Sequence, residues 1–428
     1  MERSNKSRYL QFLLIVLAAG SIYPLIYLKQ TYQETILEVF NMGLDQLNII
    51  YSVLGIVFVV GYFPSGLLSD KFSSKKLLAI SLFMTALGGV WFAQIPTYGN
   101  VVLIFCIWGI FSVFTFWSAH MKLVKLLSKP EEEGRFFGIL DGGRGLVEAV
   151  LASIGVAIFA RIMGTSTDIA NKRSALLGII WMYIIVLVII AVLVLIFVDD
   201  DKKMMASDTE KAVDTAKQKF QMKDLKILFS NKSIFIMGGI IFMSYAVTWA
   251  YYYFSGFLQT NIAIDPVTVG TVMVISLWMR PVGGIAGGFL ADKLGKSSVL
   301  MSAIIAASVG LIILAILPTT SGNTLFYALI ILTSALIYAI RGTYWSLLGD
   351  TNIDDRITGV AIGLISLFGY LPDIVLPLFI NGLFARFGDN GGYNSYFIST
   401  AVIGAIGVLL ILLFKAVVKK RKAAEGKI

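Results

Sequence analysis

The chemistry-bearing residues of this 428-residue chain stand inside long apolar stretches: Asp141, Arg144, Glu148, Arg280, Arg341 and Asp373. An ionised side chain in hydrocarbon costs roughly 2.5 kcal/mol or more, so each asks for a compensating role. A carboxylate in such surroundings can carry a proton, because burial and a neighbouring cation decide which form is held. A guanidinium can hold a carboxylate or phosphate through two parallel hydrogen bonds. At about 100° per residue, Asp141, Arg144 and Glu148 share one narrow helix face. Gly134, Gly138, Gly142 and Gly145 lie beside that face, and Gly284, Gly287 and Gly288 lie on the side of Arg280. Small residues at this spacing let a second helix approach closely. Asp141, Glu148 and Asp373 are therefore the proton-coupling candidates, and Arg144, Arg280 and Arg341 the candidates for holding an anionic group. A structural ion pair is the competing reading for Arg280 with Glu148 or Asp141, and Asp373, beside Pro372, can equally partner an arginine in a kinked turn.

Aromatic residues at helical spacing add hydroxyl and indole donors: Tyr23, Tyr27, Trp117, Tyr245, Trp249 and Tyr252. Packing and interfacial belts compete with a binding role for each of them. His120 is the sole histidine, which excludes a histidine-based metal site, and its place near the end of an apolar run reads as interfacial. Cys106 is the sole cysteine, so no intrachain disulfide forms. No metal-ligand or phosphate-loop spacing is present, and no nucleophile stands beside an orienting base. The chain reads as neither an enzyme nor a holder of a metal or cofactor.

These residues are positioned by membrane spans. With 57% hydrophobic and 14% charged residues, and a mean hydropathy of +0.82, the chain is too apolar for a soluble globule. Its net charge of +9 sits mostly in loops and tails beside apolar runs, which argues against nucleic acid as a partner. Runs long enough to span occur near 9–28, 46–69, 77–95, 100–122, 135–161 and 174–198, and again near 232–259, 267–291, 297–317, 323–348, 357–386 and 393–415. The bases before the first run imitate a secretory signal, but its apolar character continues to Leu28, far enough to cross a bilayer. The expected layout is an N-terminal six-helix bundle at 1–198, a polar cytoplasmic linker at 199–230, a C-terminal bundle at 231–418 and a basic tail at 419–428. An amphipathic helix is expected in the linker at Phe220–Phe229.

The two halves echo each other. Gly66-Leu67-Leu68-Ser69-Asp70-Lys71, followed by Lys75 and Lys76, returns as Gly288-Phe289-Leu290-Ala291-Asp292-Lys293-Leu294-Gly295-Lys296, roughly 220 residues on. Thr115-Phe116-Trp117-Ser118 matches Thr343-Tyr344-Trp345-Ser346, and Arg135-x-x-Gly138-x-x-x-Gly142 matches Arg356-x-x-Gly359-x-x-x-Gly363. Six spans return the chain to its starting side, so the halves are parallel repeats. If every run spans, the bases gather on one side, which places both termini and the linker in the cytoplasm of a multi-pass cell-membrane protein.

The paired Gly-x-Leu-Ala-Asp-Lys-x-Gly-Lys corners resemble the loop motif of the major facilitator superfamily. In the first copy, Ser73 replaces the turn glycine and Ser74 the first closing base. The resemblance implies an all-α fold of twelve transmembrane helices in two bundles, with the first, fourth, seventh and tenth helices lining a central cavity and the fifth and eighth packing across the boundary. It implies a secondary transporter working by alternating access, with Asp70 facing Arg356 and Asp292 facing Arg135 as gating contacts on the cytoplasmic side. The arginines and buried acids then point to proton-coupled symport of a small organic anion by a monomer in contact with lipid. Efflux of amphipathic compounds, organic-anion antiport and, more remotely, a transporter-like receptor are the alternatives.

Overall fold

The computed structural model describes residues 5–128, 133–164, 168–206, 228–351 and 358–424. Most of the expected linker helix at Phe220–Phe229 lies outside these, as does Arg356. Every described element is helical. Ten helical stretches are long and apolar enough to cross a membrane, and a shorter apolar helix at Ser7–Ser21 precedes them. The last stretch, Ala361–Ala423, is 63 residues long and turns at Gly388 (φ 69°, ψ −177°), a conformation open to a residue without a Cβ. Large apolar side chains such as Phe289, Ile316 and Leu409 are exposed along these helices, as lipid-facing positions require.

The described residues form two compact units, Met1–Gln218 with Pro266–Val274, and Lys219–Asp265 with Ile275–Ile428. In the first unit, α1 (Asn5–Ser21) and α2 (Lys29–Phe40) replace the single expected run at 9–28. The helix breaks over residues 22–28 because Pro24 has no N–H to give and its ring crowds the carbonyl of Gly20. Beyond the break the chain stays buried through Tyr32 and Ile36, so the first span is longer than its apolar run. Next come α3 (Leu44–Lys71), α4 (Ser74–Phe92) and α5 (Tyr98–Gly109). A π-helical turn at Ile110–Phe114 leads into α6 (Trp117–Leu127), followed by α7 (Glu133–Met163), α8 (Ile169–Phe197) and the short α9 (Asp201–Ala206).

Helix α1 packs on α7, and α4 on α8. The first contact runs through glycines: a Cβ on Gly20 would lie 2.5 Å from Val147 Cβ, and one on Gly143 would lie 2.6 Å from Val16 Cγ1. A Cβ on Gly142, by contrast, would meet nothing within 4 Å, so the close approach uses a neighbouring glycine.

In the second unit, α10 (Lys232–Thr248) tightens into a 3-10 turn at Trp249–Tyr253 and continues as α11 (Phe254–Thr260). Then follow α12 (Pro266–Leu294), whose residues up to Val274 belong to the first unit, α13 (Lys296–Ile316) and α14 (Asn323–Thr343), the last running into a 3-10 stretch at Tyr344–Thr351. The eleventh run divides into α15 (Thr358–Gly369) and the start of α16 (Pro372–Ala424), where Pro372 takes the first helical position that a proline tolerates. Helices α12 and α14 approach at Gly283, Gly287 and Gly342; an added Cβ on Gly283 would lie 2.2 Å from the carbonyl oxygen of Ala335.

Candidate functional site

The second unit gathers its chemistry where α10, α14 and the start of α16 meet. Asp373 is 6% exposed. Its Oδ1 accepts the hydroxyl of Tyr245 at 2.8 Å and the indole N–H of Trp249 at 2.9 Å. These donors stand four residues apart, one turn of helix, so both rings reach the same oxygen. The break before Pro372 is what carries Asp373 to them. Its backbone N–H bonds to the carbonyl of Tyr370 at 3.1 Å, closing the turn that swings the carboxylate toward α10.

Arg341, half-buried near the end of α14, lies with its guanidinium carbon 5.8 Å from the ring centroid of Tyr245, at the outer edge of a cation–π contact. Tyr252 packs on Trp249 with ring centroids 4.8 Å apart. Tyr370, which the sequence does not single out, meets Tyr245 edge-on at 4.8 Å and accepts the Trp345 N–H at 3.0 Å. Its backbone sits in the broken turn that apolar periodicity cannot show. Four expected residues, Tyr245, Trp249, Arg341 and Asp373, thus form one cluster with Tyr252 against it: a carboxylate held by two neutral donors beside an arginine.

The first unit has a second cluster. Arg144 Nε lies 3.1 Å from Glu148 Oε1, one turn along α7, and both side chains are largely covered. The Arg144 guanidinium also stands 4.7 Å over the ring of Tyr23. The Tyr23 hydroxyl donates to the carbonyl of Ser112 at 2.9 Å, so both its ring and its oxygen are engaged. That carbonyl belongs to the π turn, which is held by the bond from Thr115 N to the carbonyl of Ile110 at 3.3 Å.

Trp117 packs edge-on against Tyr62, while Tyr27 meets Tyr51 at a tilt of 35°. One expectation changes. Asp141 is exposed rather than buried, as are Ile139 and Gly142 beside it, whereas Arg144 and Glu148 are largely covered. His120 is buried among the helices: its ring stacks on Phe116 at 4.9 Å and Nδ1 lies 3.3 Å from the Phe116 carbonyl.

Lys29 is the residue that sequence reading passes over. It opens α2 at 0% exposure, with Nζ 3.5 Å from Asn48 Oδ1 and 4.5 Å from the Tyr51 ring centroid. The available signal is the resumption of apolar residues at Tyr32 and Ile36 beyond it.

The remaining expected residues are placed as follows. Arg280 is half-buried on α12, just before Pro281. Asp292 is exposed near the end of the same helix. The side chains of Asp70 and Arg135 lie outside the described residues, as does Arg356. The loop after α3 is held from another direction: Asp201 accepts from Ser74 N at 2.9 Å and Ser74 Oγ at 2.7 Å, and pairs with Lys122 Nζ at 3.1 Å. A carboxylate at the start of α4 satisfies free N–H groups and meets the positive end of the helix dipole. Asp199 completes this anchorage, exchanging two hydrogen bonds with Gln11 of α1.

The family profile described as Major Facilitator Superfamily matches residues 9–377. The chain belongs to this superfamily. Its members are transporters rather than enzymes. The Escherichia coli inner membrane protein YihN is 28% identical over 99% of this chain and 100% of its own length. The Bacillus subtilis protein named as probable galactarate/D-glucarate transporter GudP is 20% identical, covering 89% of this superfamily member and 88% of itself. Among solved structures, a bacterial homologue of the human lysosomal transporter Spinster superposes with a TM-score of 0.74 at 12% identity, over 98% of this chain and 99% of that one, a likeness of fold. The chain is a multi-pass membrane transporter of the major facilitator fold.

Proposed function

We propose that this chain is a proton-coupled symporter for a small organic anion of the sugar-acid class. The observation that carries the reading is the Asp373 cluster. A buried carboxylate receives Tyr245 and Trp249 on one oxygen, and Arg341 lies against the same tyrosine ring. Both donors land on Oδ1, so a proton arriving at Oδ2 neutralises the carboxylate without displacing either ring. The net positive charge around Arg341 then rises, and an acidic substrate group gains a partner. Loss of the proton on the cytoplasmic side reverses this and favours release. Glu148, paired directly with Arg144 rather than through an aromatic ring, forms a second coupling position. The GudP relative supports the substrate class, since sugar diacids carry the carboxylates that an arginine holds.

Transport proceeds by alternating access of the two repeated bundles, 1–198 and 231–418, joined by the linker at 199–230. Both termini, including the basic tail at 419–428, lie in the cytoplasm, and the protein works as a monomer. Asp70, Arg135, Asp292 and Arg356 gate the cytoplasmic side, while Arg280 and the aromatic residues Tyr27, Trp117 and Tyr252 line the path.

The test is Asp373→Asn in proteoliposomes loaded with D-glucarate. Counterflow persists, because the binding groups remain, while accumulation driven by an inward proton gradient is lost. A variant that still accumulates D-glucarate on that gradient removes Asp373 from the coupling role. Wild-type protein that moves neither D-glucarate nor D-glucuronate removes the substrate class.

A further inference from the structure

Tyr370 stands where the chain between α15 and α16 winds more tightly than a helix. Its N–H still closes α15 on the Ser366 carbonyl at 3.0 Å, but two of the next bonds reach back three residues rather than four: Leu371 N to Phe368 O at 3.3 Å and Asp373 N to Tyr370 O at 3.1 Å. Pro372 between them has no N–H to give. The side chain of Tyr370 reaches two other elements. Its ring meets Tyr245 of α10 edge-on, with centroids 4.8 Å apart and planes at 81°. Its hydroxyl accepts the indole N–H of Trp345 at 3.0 Å and lies 3.4 Å from the hydroxyl of Tyr344, the two residues that open the 3-10 stretch after α14.

These contacts close a circuit around the site. Arg341 stands about one turn before Trp345 on the same run of helix. From Asp373, one path leads through the Tyr245 ring to Arg341. The other leads through the Tyr370 backbone, its phenol, Trp345 and the end of α14 to the same arginine. A break in a helix has no complete ladder to fix its bend, so the angle follows the groups that its side chains hold. An indole has a single donor, and Tyr370 receives it. Phenylalanine at 370 would keep the volume and the edge contact with Tyr245. The hydroxyl is what ties the break to α14.

We infer that Tyr370 is a positioning residue for proton coupling: its hydroxyl binds the bend before Asp373 to the 3-10 stretch beyond Arg341, so that carboxylate and guanidinium shift together about the Tyr245 ring. The inference rests on the reading of Asp373 as the coupling group. With the tie in place, a change at the carboxylate reaches the arginine by both paths. Without it the bend and the end of α14 move separately, and D-glucarate crosses without its proton.

The experiment compares wild type, Tyr370→Phe, Trp345→Phe and the double variant as full-length proteins in proteoliposomes, each with its melting temperature. Two rates are read on D-glucarate: accumulation under an inward proton gradient, and counterflow without one. Their ratio is diagnostic, since a loss of folded protein lowers both alike. The ratio falls at least about threefold in each single variant and no further in the double, because either substitution removes the same bond. A Tyr370→Phe ratio equal to that of wild type overturns the inference and leaves Asp373 in its role. A double variant whose loss is the product of the two single losses also overturns it, since the residues then act independently. Where Tyr370→Phe does not fold, Trp345→Phe, which leaves the break itself unaltered, decides by the same ratio. Wild-type protein that accumulates no D-glucarate on the gradient, or an Asp373→Asn variant that still does, overturns this inference together with the coupling reading.

Discussion

Substituting Gly283 with alanine tests whether the contact between α12 and α14 positions the arginine of the second unit. The new Cβ would stand 2.2 Å from the Ala335 carbonyl oxygen and 3.1 Å from both Ala335 C and Ala339 N. Atoms of this kind do not approach within 3.0 Å, and the obstacle is backbone, so the helices must part by about 1 Å. Overpacking of this sort costs about 1–3 kcal/mol, against which alanine returns about 1 kcal/mol of helix propensity. The net loss is about 0–2 kcal/mol, a melting temperature lower by up to about 8 °C for a unit of this size. Gly284→Ala is the matched control, since its Cβ would meet nothing within 4 Å. It keeps the propensity gain and meets no obstacle, so its melting temperature equals or exceeds that of wild type. Because Arg341 lies less than two turns beyond Ala335 on α14, the same displacement draws it off the Tyr245 ring and raises KM for D-glucarate in Gly283→Ala alone. Thermal unfolding in detergent followed by tryptophan fluorescence, with uptake on the same preparations, supplies both numbers. A Gly283→Ala protein that melts at or above the control refutes the packing argument.

Other outcomes follow from the first unit. Asp201→Ala removes both Ser74 hydrogen bonds and the Lys122 pair, costing about 2–3 kcal/mol, and trypsin then cuts faster at Lys202 and Lys203; unchanged cleavage means the anchorage contributes nothing. Glu148→Gln keeps a neutral partner for Arg144, so counterflow survives and proton-driven accumulation falls. Undiminished accumulation in that variant leaves Asp373 as the coupling group and Glu148 as a clamp.

The fold was legible because its signals are long and repeated. Apolar runs of bilayer length do not depend on neighbours, and the corner at Gly66–Lys76 repeats as Gly288–Lys296 in the same order. The cluster around Asp373 was legible in part: Tyr245, Trp249 and Tyr252 share a helix, so their spacing announces a common face. Their shared acceptor was not legible, since only the break at Tyr370–Leu371 brings Asp373 to them, across more than a hundred residues of chain. Lys29 failed for a sharper reason. Hydropathy treats a lysine as the end of a span, so a charge held inside one erases its own evidence. For His120 the sequence shows only a place near the end of an apolar run; the packing of its ring against Phe116 is not written there.

The winding at the matching Thr-aromatic-Trp-Ser segments, a turn just before the first and a stretch that begins inside the second, bears on how the two halves have diverged. At Ile110–Phe114 the helix is underwound, holding an extra residue in the turn, whereas Tyr344–Thr351 is overwound. A one-residue excess rotates everything beyond it by about 100°, and tightening rotates it the other way. Trp117 therefore comes after an underwound turn, whereas Trp345 stands within an overwound one, although the surrounding letters agree. What duplication supplied as two copies of one part, winding has turned into two distinct parts: one wraps a carbonyl around Tyr23, and the other hands an indole to Tyr370.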